Sequence, residues 1–202
     1  MQIYATESVI KTALGKEWDN LAAPIQRHYG LSPGTQQQII LTGTMTSIRY
    51  SLIGKLFVLL SRPFGALVHL KGNNIPVTVR NYTTDDPDNF FWHRTFSPQQ
   101  TQQKIFCSRM VHAGGNEIIE FVRLGMGIRM QVTVNDMCLH YRGIRYEWHI
   151  GKFTIPIPNW LALGKGEIIE EAVDDNTVRV DFRIIHPMFG ETFSYRGQFK
   201  LQ

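Results

Sequence analysis

Between Phe90 and Arg123 the chain sets charged side chains into rows that are otherwise apolar. Arg94 stands in a row with Phe90, Trp92 and Phe96, and further on Arg109 and Glu120 interrupt alternating hydrophobic residues. An arginine among aromatic rings stacks its guanidinium on them and aims the charged head at an acid. A carboxylate set in an apolar wall beside a guanidinium suits a polar head group, or acts as a general base where the arginine moves away. A two-residue turn at Gly114-Gly115 pairs Ala113 with Asn116, Val111 with Ile118 and Arg109 with Glu120. That pairing also has a plain structural reading, as an ion pair that fixes strand register. A slip of one residue in the turn would undo it. On the opposite face, alternation places Phe106, Ser108 and Met110 beside Ile119 and Phe121.

Other chemistries find less support. The seven histidines form no HxH, HxxxH or HxxE pattern, and zinc or iron needs three or four convergent ligands, so no metal or other cofactor is expected. There is no GxSxG, Ser108 reads as a packed hydroxyl, and Leu124-Gly125-Met126-Gly127 joins two strands without opening a helix as a phosphate loop would. His186, placed before Pro187, reads as a turn residue whose ring caps backbone groups. The 21 Lys and Arg against 17 Asp and Glu give a net charge of +4 without a basic run, which argues against nucleic acid and leaves mild attraction to anionic lipid. Cys107 and Cys138 read as small buried hydrophobes in a reducing compartment, and no secretory signal opens the chain, so a cytoplasmic location is expected.

The elements that position these residues follow from periodicity. Leu14, Trp18, Leu21, Ile25 and His28 recur at helical spacing and predict one amphipathic helix from Glu7 to His28. Thr35 to Ser47 predicts a strand with a bulge at Gly43. The apolar window from Ser51 to Leu70 is broken by Lys55, Arg62 and Pro63, too early for a spanning helix. It predicts a short buried or interfacial helix over Leu52 to Leu60. Ile75 to Tyr82 is a further strand, three more lie between Phe90 and Arg123, and Ile128 to Val134 alternates cleanly. Met137 to Ile150 changes parity at Gly143, as a glycine bulge would make it. Phe153 to Asn159, with alternating prolines, suits an edge. Three plain strands end the chain. About ten strands in hairpin order predict an α+β protein, one domain over residues 1–202, with a curved antiparallel sheet or barrel packed by two helices.

Several spaced motifs run through these elements. Trp92, Arg94 and Phe96 form WxRxF, Phe106 and Ser108 form FxS, and Glu120 stands alone in its strand. PxP precedes Trp160-Leu161, and His186, Pro187 and Gly190 lead to Tyr195 and Gly197. With the Gln26-Arg27-His28-Tyr29 helix end, they make the chain from Trp18 onward resemble the bacterial domain-of-unknown-function family 4166. Members of that family occur alone or joined to dehydrogenase-like or membrane domains and have no established activity. The resemblance therefore implies a relative but no catalytic residues. The long polar connection Ser97 to Gln103 departs from the tighter turn expected there.

These readings converge on a barrel cavity holding a small hydrophobic or amphiphilic, lipid-like molecule. Its polar end would meet Arg94, Arg109 and Glu120, and its tail Trp92, Phe106 and Phe121. A carrier is favoured over an enzyme that uses Glu120 as base in the same pocket. The third alternative is an accessory module that meets a protein or a membrane surface through Leu52 to Phe64.

Overall fold

The alternating stretches all pair into one antiparallel sheet in the computed structural model, which describes residues 7–65, 67–86, 88–99 and 102–202. The strands are β1 (Gln38–Tyr50), β2 (Gly72–Thr83), β3 (Phe90–Gln99), β4 (Gln102–Gly114), β5 (Glu117–Phe121) and β6 (Met126–Asn135). They continue with β7 (Cys138–Ile150), β8 (Phe153–Ile157), β9 (Lys165–Asp174), β10 (Thr177–His186) and β11 (Gly190–Leu201). Their order is β6-β5-β4-β3-β2-β1-β11-β10-β9-β7, and β7 pairs back onto β6, so ten strands close a barrel. Closure removes the edges that a flat sheet of this width would expose. The first half of β7, Leu139 to Arg142, pairs with β9, while Tyr146 to Ile150 pairs with β8. β8 is thus an edge strand outside the ring, where the missing N–H of Pro156 is tolerated.

Alternation decides what fills the barrel. Leu41, Met45, Val77, Val79, Val180 and Phe199 are buried, while their sequence neighbours Thr42, Thr78, Arg80 and Arg179 lie half-buried or exposed. The parity change in β7 is present, for Arg129 pairs with Arg145 and Met130 with Gly143, leaving Ile144 as the extra residue. Gly43 is not a bulge; the register of β1 shifts instead between Met45 and Ser47. Gly43 is small for another reason, since a Cβ there would stand 2.0 Å from the Gln198 carbonyl oxygen.

The N-terminal stripe is buried as its spacing requires, but not on one helix. It is split into α1 (Val9–Leu14), a 3₁₀ segment at Gly15–Asn20 and α2 (Ala23–Tyr29). Gly15 takes a left-handed φ of 53° that ends α1, and Pro24 in the first turn of α2 has no N–H to continue a helix from before. Helix α1 packs on β4, β5 and β6 and α2 on β9 and β10, so together they close one end of the barrel.

The other end is covered by α3 (Leu52–Leu60), capped by the Ser51 side chain, which accepts from Gly54 N at 3.0 Å. Helix α3 leaves β1 beside Thr192 of β11, and Phe57 stacks on His186 at the end of β10. The turn that follows crosses to the far wall. There the Phe64 carbonyl accepts from Arg123 N and its ring meets Trp148 edge-on at 5.9 Å. Since β1 and β6 lie opposite each other around the ring, this segment is a lid. No helix among the described residues is long and apolar enough to cross a membrane. The Ser97 to Gln103 connection includes Gln100 and Thr101, which lie outside the described residues.

Candidate functional site

The β4–β5 hairpin turns one residue later than its Gly-Gly pair suggests. The turn is Gly115-Asn116, Gly114 pairs with Glu117, and Ala113 is an extra residue in β4. Glu120 therefore stands opposite Met110, and Arg109 opposite Phe121. This corrects the expected Arg109–Glu120 ion pair, because a one-residue slip moves one partner to the other face. Glu120 points into the barrel. Arg109 is exposed on the outer wall, where it donates to Asn89 Oδ1 at 2.7 Å and lies 4.6 Å over the Phe121 ring. Phe121 is on that outer wall too, buried by Arg109 on one side and the His149 ring, 4.8 Å away, on the other. Cys107 shares this parity and is exposed, contrary to the buried role expected of it.

Inside, β3 and β4 pair Trp92 with Ser108 and Arg94 with Phe106. All four face inward, as does Glu120 of β5. The Arg94 guanidinium lies 4.0 Å from the Trp92 ring and 5.0 Å from the Phe106 ring, sandwiched between them. Its Nη2 stands 3.3 Å from Glu120 Oε1, and Nη1 donates to Ser108 Oγ at 3.0 Å. Ser108 in turn donates to the same Glu120 Oε1 at 2.6 Å. Oε1 is thereby saturated, while Glu120 Oε2 accepts from no described residue and Arg94 Nε donates to none.

These groups border a hollow of about 100 Å³ beneath the lid. Leu67 and Val68 of the lid segment line it, with Phe96, Met126, Ile184 and Phe193 among its apolar walls. Small-molecule pockets start at roughly 300 Å³, so the hollow as it stands takes a guest of only a few heavy atoms. A smaller hollow of about 40 Å³ lies deeper, toward α2, and shares Trp92, Arg94 and Tyr195 with the first. Glu170 of β9 borders it, accepting from Tyr29 at 2.7 Å with His28 Nδ1 at 3.4 Å. Burial first, and then the negative charge of Glu170, push the Tyr29 and Tyr141 phenols well above their usual range. Burial likewise pushes Tyr195 up to about 12, so it offers a neutral hydroxyl between the two hollows.

The structure thus brings together Trp92, Arg94, Phe106 and Glu120, and leaves Arg109 and Phe121 outside. Sequence reasoning missed Ser108 as a partner, although it has the parity of Phe106 two residues before it. It also missed Tyr195 and Glu170. Glu170 shares the inward parity of Ile168, a signal present in the alternation of β9.

A second charged group sits on the outer wall, where β6 and β7 pair. Glu147 is fully buried and accepts from Arg129 Nε at 2.6 Å and Arg145 Nε at 2.9 Å, with His149 Nε2 at 3.0 Å from its other oxygen. Burial pushes the carboxyl up, but the hydrogen bonds of Arg129 and His149 outweigh it and leave Glu147 below its usual value. His186 caps backbone at the lid: its Nε2 lies 2.9 Å from the Trp160 carbonyl, and its Nδ1 accepts from Met188 N at 3.1 Å.

A family model described as "Domain of unknown function (DUF4166)" matches residues 21–199. No curated protein and no solved structure matches the chain.

Proposed function

As the chain belongs to the DUF4166 family, whose description names no activity, we propose from the barrel interior itself that it binds a small amphiphilic molecule beneath the lid. The observation that carries this reading is a pre-formed polar set in an apolar hollow. Arg94 lies over both the Trp92 and Phe106 rings, while its Nε and Glu120 Oε2 have no hydrogen-bond partner among the described residues. Sites of this kind fix a ligand's orientation with a few convergent polar groups and take their affinity from the apolar walls.

The same geometry narrows the guest. Arg94 and Glu120 already neutralise each other, so a second carboxylate would add an uncompensated buried charge. A neutral head is favoured: a carbonyl oxygen accepting from Arg94 Nε, or a hydroxyl donating to Glu120 Oε2. The size of the hollow favours a short molecule, and a lipid-like chain would need the lid segment at Leu67 and Val68 to move.

Two measurements test this. Native mass spectrometry of protein purified without detergent should show a bound species besides the bare chain. A melting series with short alcohols, ketones and amides, against carboxylates of equal length, should show stabilisation by the neutral compounds, with that from the alcohols lost in Glu120→Leu. A clean unliganded mass together with no stabilisation by any compound would rule the reading out.

A further inference from the structure

Helix α3 has the composition of a buried helix, yet half of it faces water. Gly54 and Val58 are buried and Phe57 packs on the core, but Leu52 is 90% exposed, and Leu56, Leu59 and Leu60 are at least half exposed. Lys55 is its one charged residue, and a helix otherwise so apolar belongs inside a protein or against lipid.

Other exposed apolar residues gather at this same end of the barrel. They come from chain segments far apart in sequence: Leu124 after β5, Phe153 after β7, Trp160 and Leu161 after β8, Met188 and Phe189 between β10 and β11. Each is a separate tip around the lid. Among them stand six exposed bases: Lys55, Arg62, Lys71, Lys104, Arg123 and Lys152. None has a carboxylate within ion-pair distance among the described residues. The positive field is felt inside the rim, where burial and then the charges of Arg62 and Lys104 push the His69 imidazole below its usual value. Glu191 is the exposed acid beside the lid, and Ser194 hydrogen-bonds it. The opposite end carries the exposed acids Asp85, Asp86, Asp88, Asp136, Asp174 and Asp175.

We propose that the lidded end of the barrel docks on the surface of an anionic phospholipid bilayer, with the outer face of α3 and the surrounding tips in the acyl boundary and the six bases at headgroup phosphates. Apolar tips ringed by unpaired Lys and Arg are what an interfacial element presents to such a membrane. Trp160 in the rim has the amphipathic ring that settles at headgroup depth. A second copy of the chain is a poorer occupant, since a two-fold contact at this end would set one basic collar against another. The proposal stands whether or not the hollow holds a guest.

The test is vesicle flotation of the full chain at low and high salt. One set of vesicles is phosphatidylcholine alone, and the other contains about a quarter phosphatidylglycerol. Binding to the anionic vesicles should be at least about tenfold stronger and fall with salt. Lys55→Glu with Arg62→Glu should weaken it about tenfold or more. Leu56→Asp with Leu59→Asp should abolish insertion, read as loss of the blue shift in Trp160 emission, with Trp160→Phe as the reference. Lys16→Glu with Lys200→Glu, at the far end, should change nothing. Equal or absent binding to the two vesicle types would overturn the proposal. So would binding indifferent to the lid variants, or a dimer by light scattering that Leu56→Asp with Leu59→Asp makes monomeric.

Discussion

Replacing Arg94 with Met while Glu120 remains strands a carboxylate in the barrel interior. The two side chains keep only 12% and 11% of their surface exposed, so water reaching them through the hollow replaces the lost partner only in part. Removing one member of a buried pair costs about 3 to 5 kcal/mol, and the residual exposure places this pair near the lower figure. Glu120→Leu strands the guanidinium instead, although Trp92 and Phe106 still cover its faces, and should cost a similar amount. The double variant removes both charges and refills the space with side chains of similar volume, so it should lie within roughly 1.5 kcal/mol of the parent. The coupling between the sites is then about 4 kcal/mol or more. In a chain of this size each single variant should lower the melting temperature by about 6 to 12 °C, most of which the double variant regains. Urea denaturation of the four proteins at neutral pH closes the cycle. Single effects that add to within about 0.5 kcal/mol in the double variant would show that the two groups do not act as a pair, and the account of the interior would fail.

Two further predictions concern pH. Glu147 is held below its usual value of 4.5, so its contribution to stability is complete above that value and is lost as pH falls through the lowered one. Glu147→Gln removes the carboxylate shared by Arg129 and Arg145 but leaves Arg129 its second partner, Glu117 Oε2 at 2.9 Å, so it should cost about 1 to 2 kcal/mol near neutrality and progressively less in acid. A gap in melting temperature between parent and variant that widens on acidification would refute this. At the alkaline end, the raised Tyr29, Tyr141, Tyr146 and Tyr195 phenols hold their protons in the fold, primarily because they are buried. That stabilisation is complete below pH 10 and drains as pH climbs from 10 toward and past about 12. Phenolate absorbance from these four should appear together with loss of circular dichroism; gradual titration in an intact fold would contradict the burial assigned to them.

Strand periodicity carried most of the fold. Alternation in β6, β10 and β11 is legible because one face meets the core and the other meets water, and the Gly143 parity change marked a true bulge. The prolines of β8 placed it at an edge for the same reason. The N-terminal stripe gave the buried residues but not the break at Gly15, because spacing of apolar side chains reports a face and not the backbone that presents it. Parity within β3 made Trp92 and Arg94 legible as one row, but the expected register set Glu120 on the face opposite Phe106 and Ser108, and the observed one brings it to their face. The Arg109–Glu120 pair depended on parity between strands, and that turns on a single residue in the hairpin. With Gly114 and Gly115 adjacent, two turns one residue apart fit the local sequence. What separates them is tertiary: the observed register puts Glu120 against Ser108 and Arg94. The alternative would turn the acid outward and leave Arg94 without its carboxylate partner in the barrel.

Leu52 to Leu60 shows a different kind of limit. Apart from Lys55 its sequence is apolar, and that composition occurs in a helix packed at the edge of a core as well as in one lying in a membrane interface. The composition of those nine residues does not fix which face meets the core. The decision comes from where β1 delivers the helix, at the rim of a closed barrel whose interior is already occupied by strand side chains. Only Gly54, Phe57 and Val58 find core to cover, so the leucines on the other face stay outside. The basic collar around them is assembled from lid and loop positions spread from Lys55 to Lys152, and no window of the sequence contains it. A patch of this kind belongs to the topology: moving the same side chains to other loops would keep the composition and the net charge of +4, and would erase the surface.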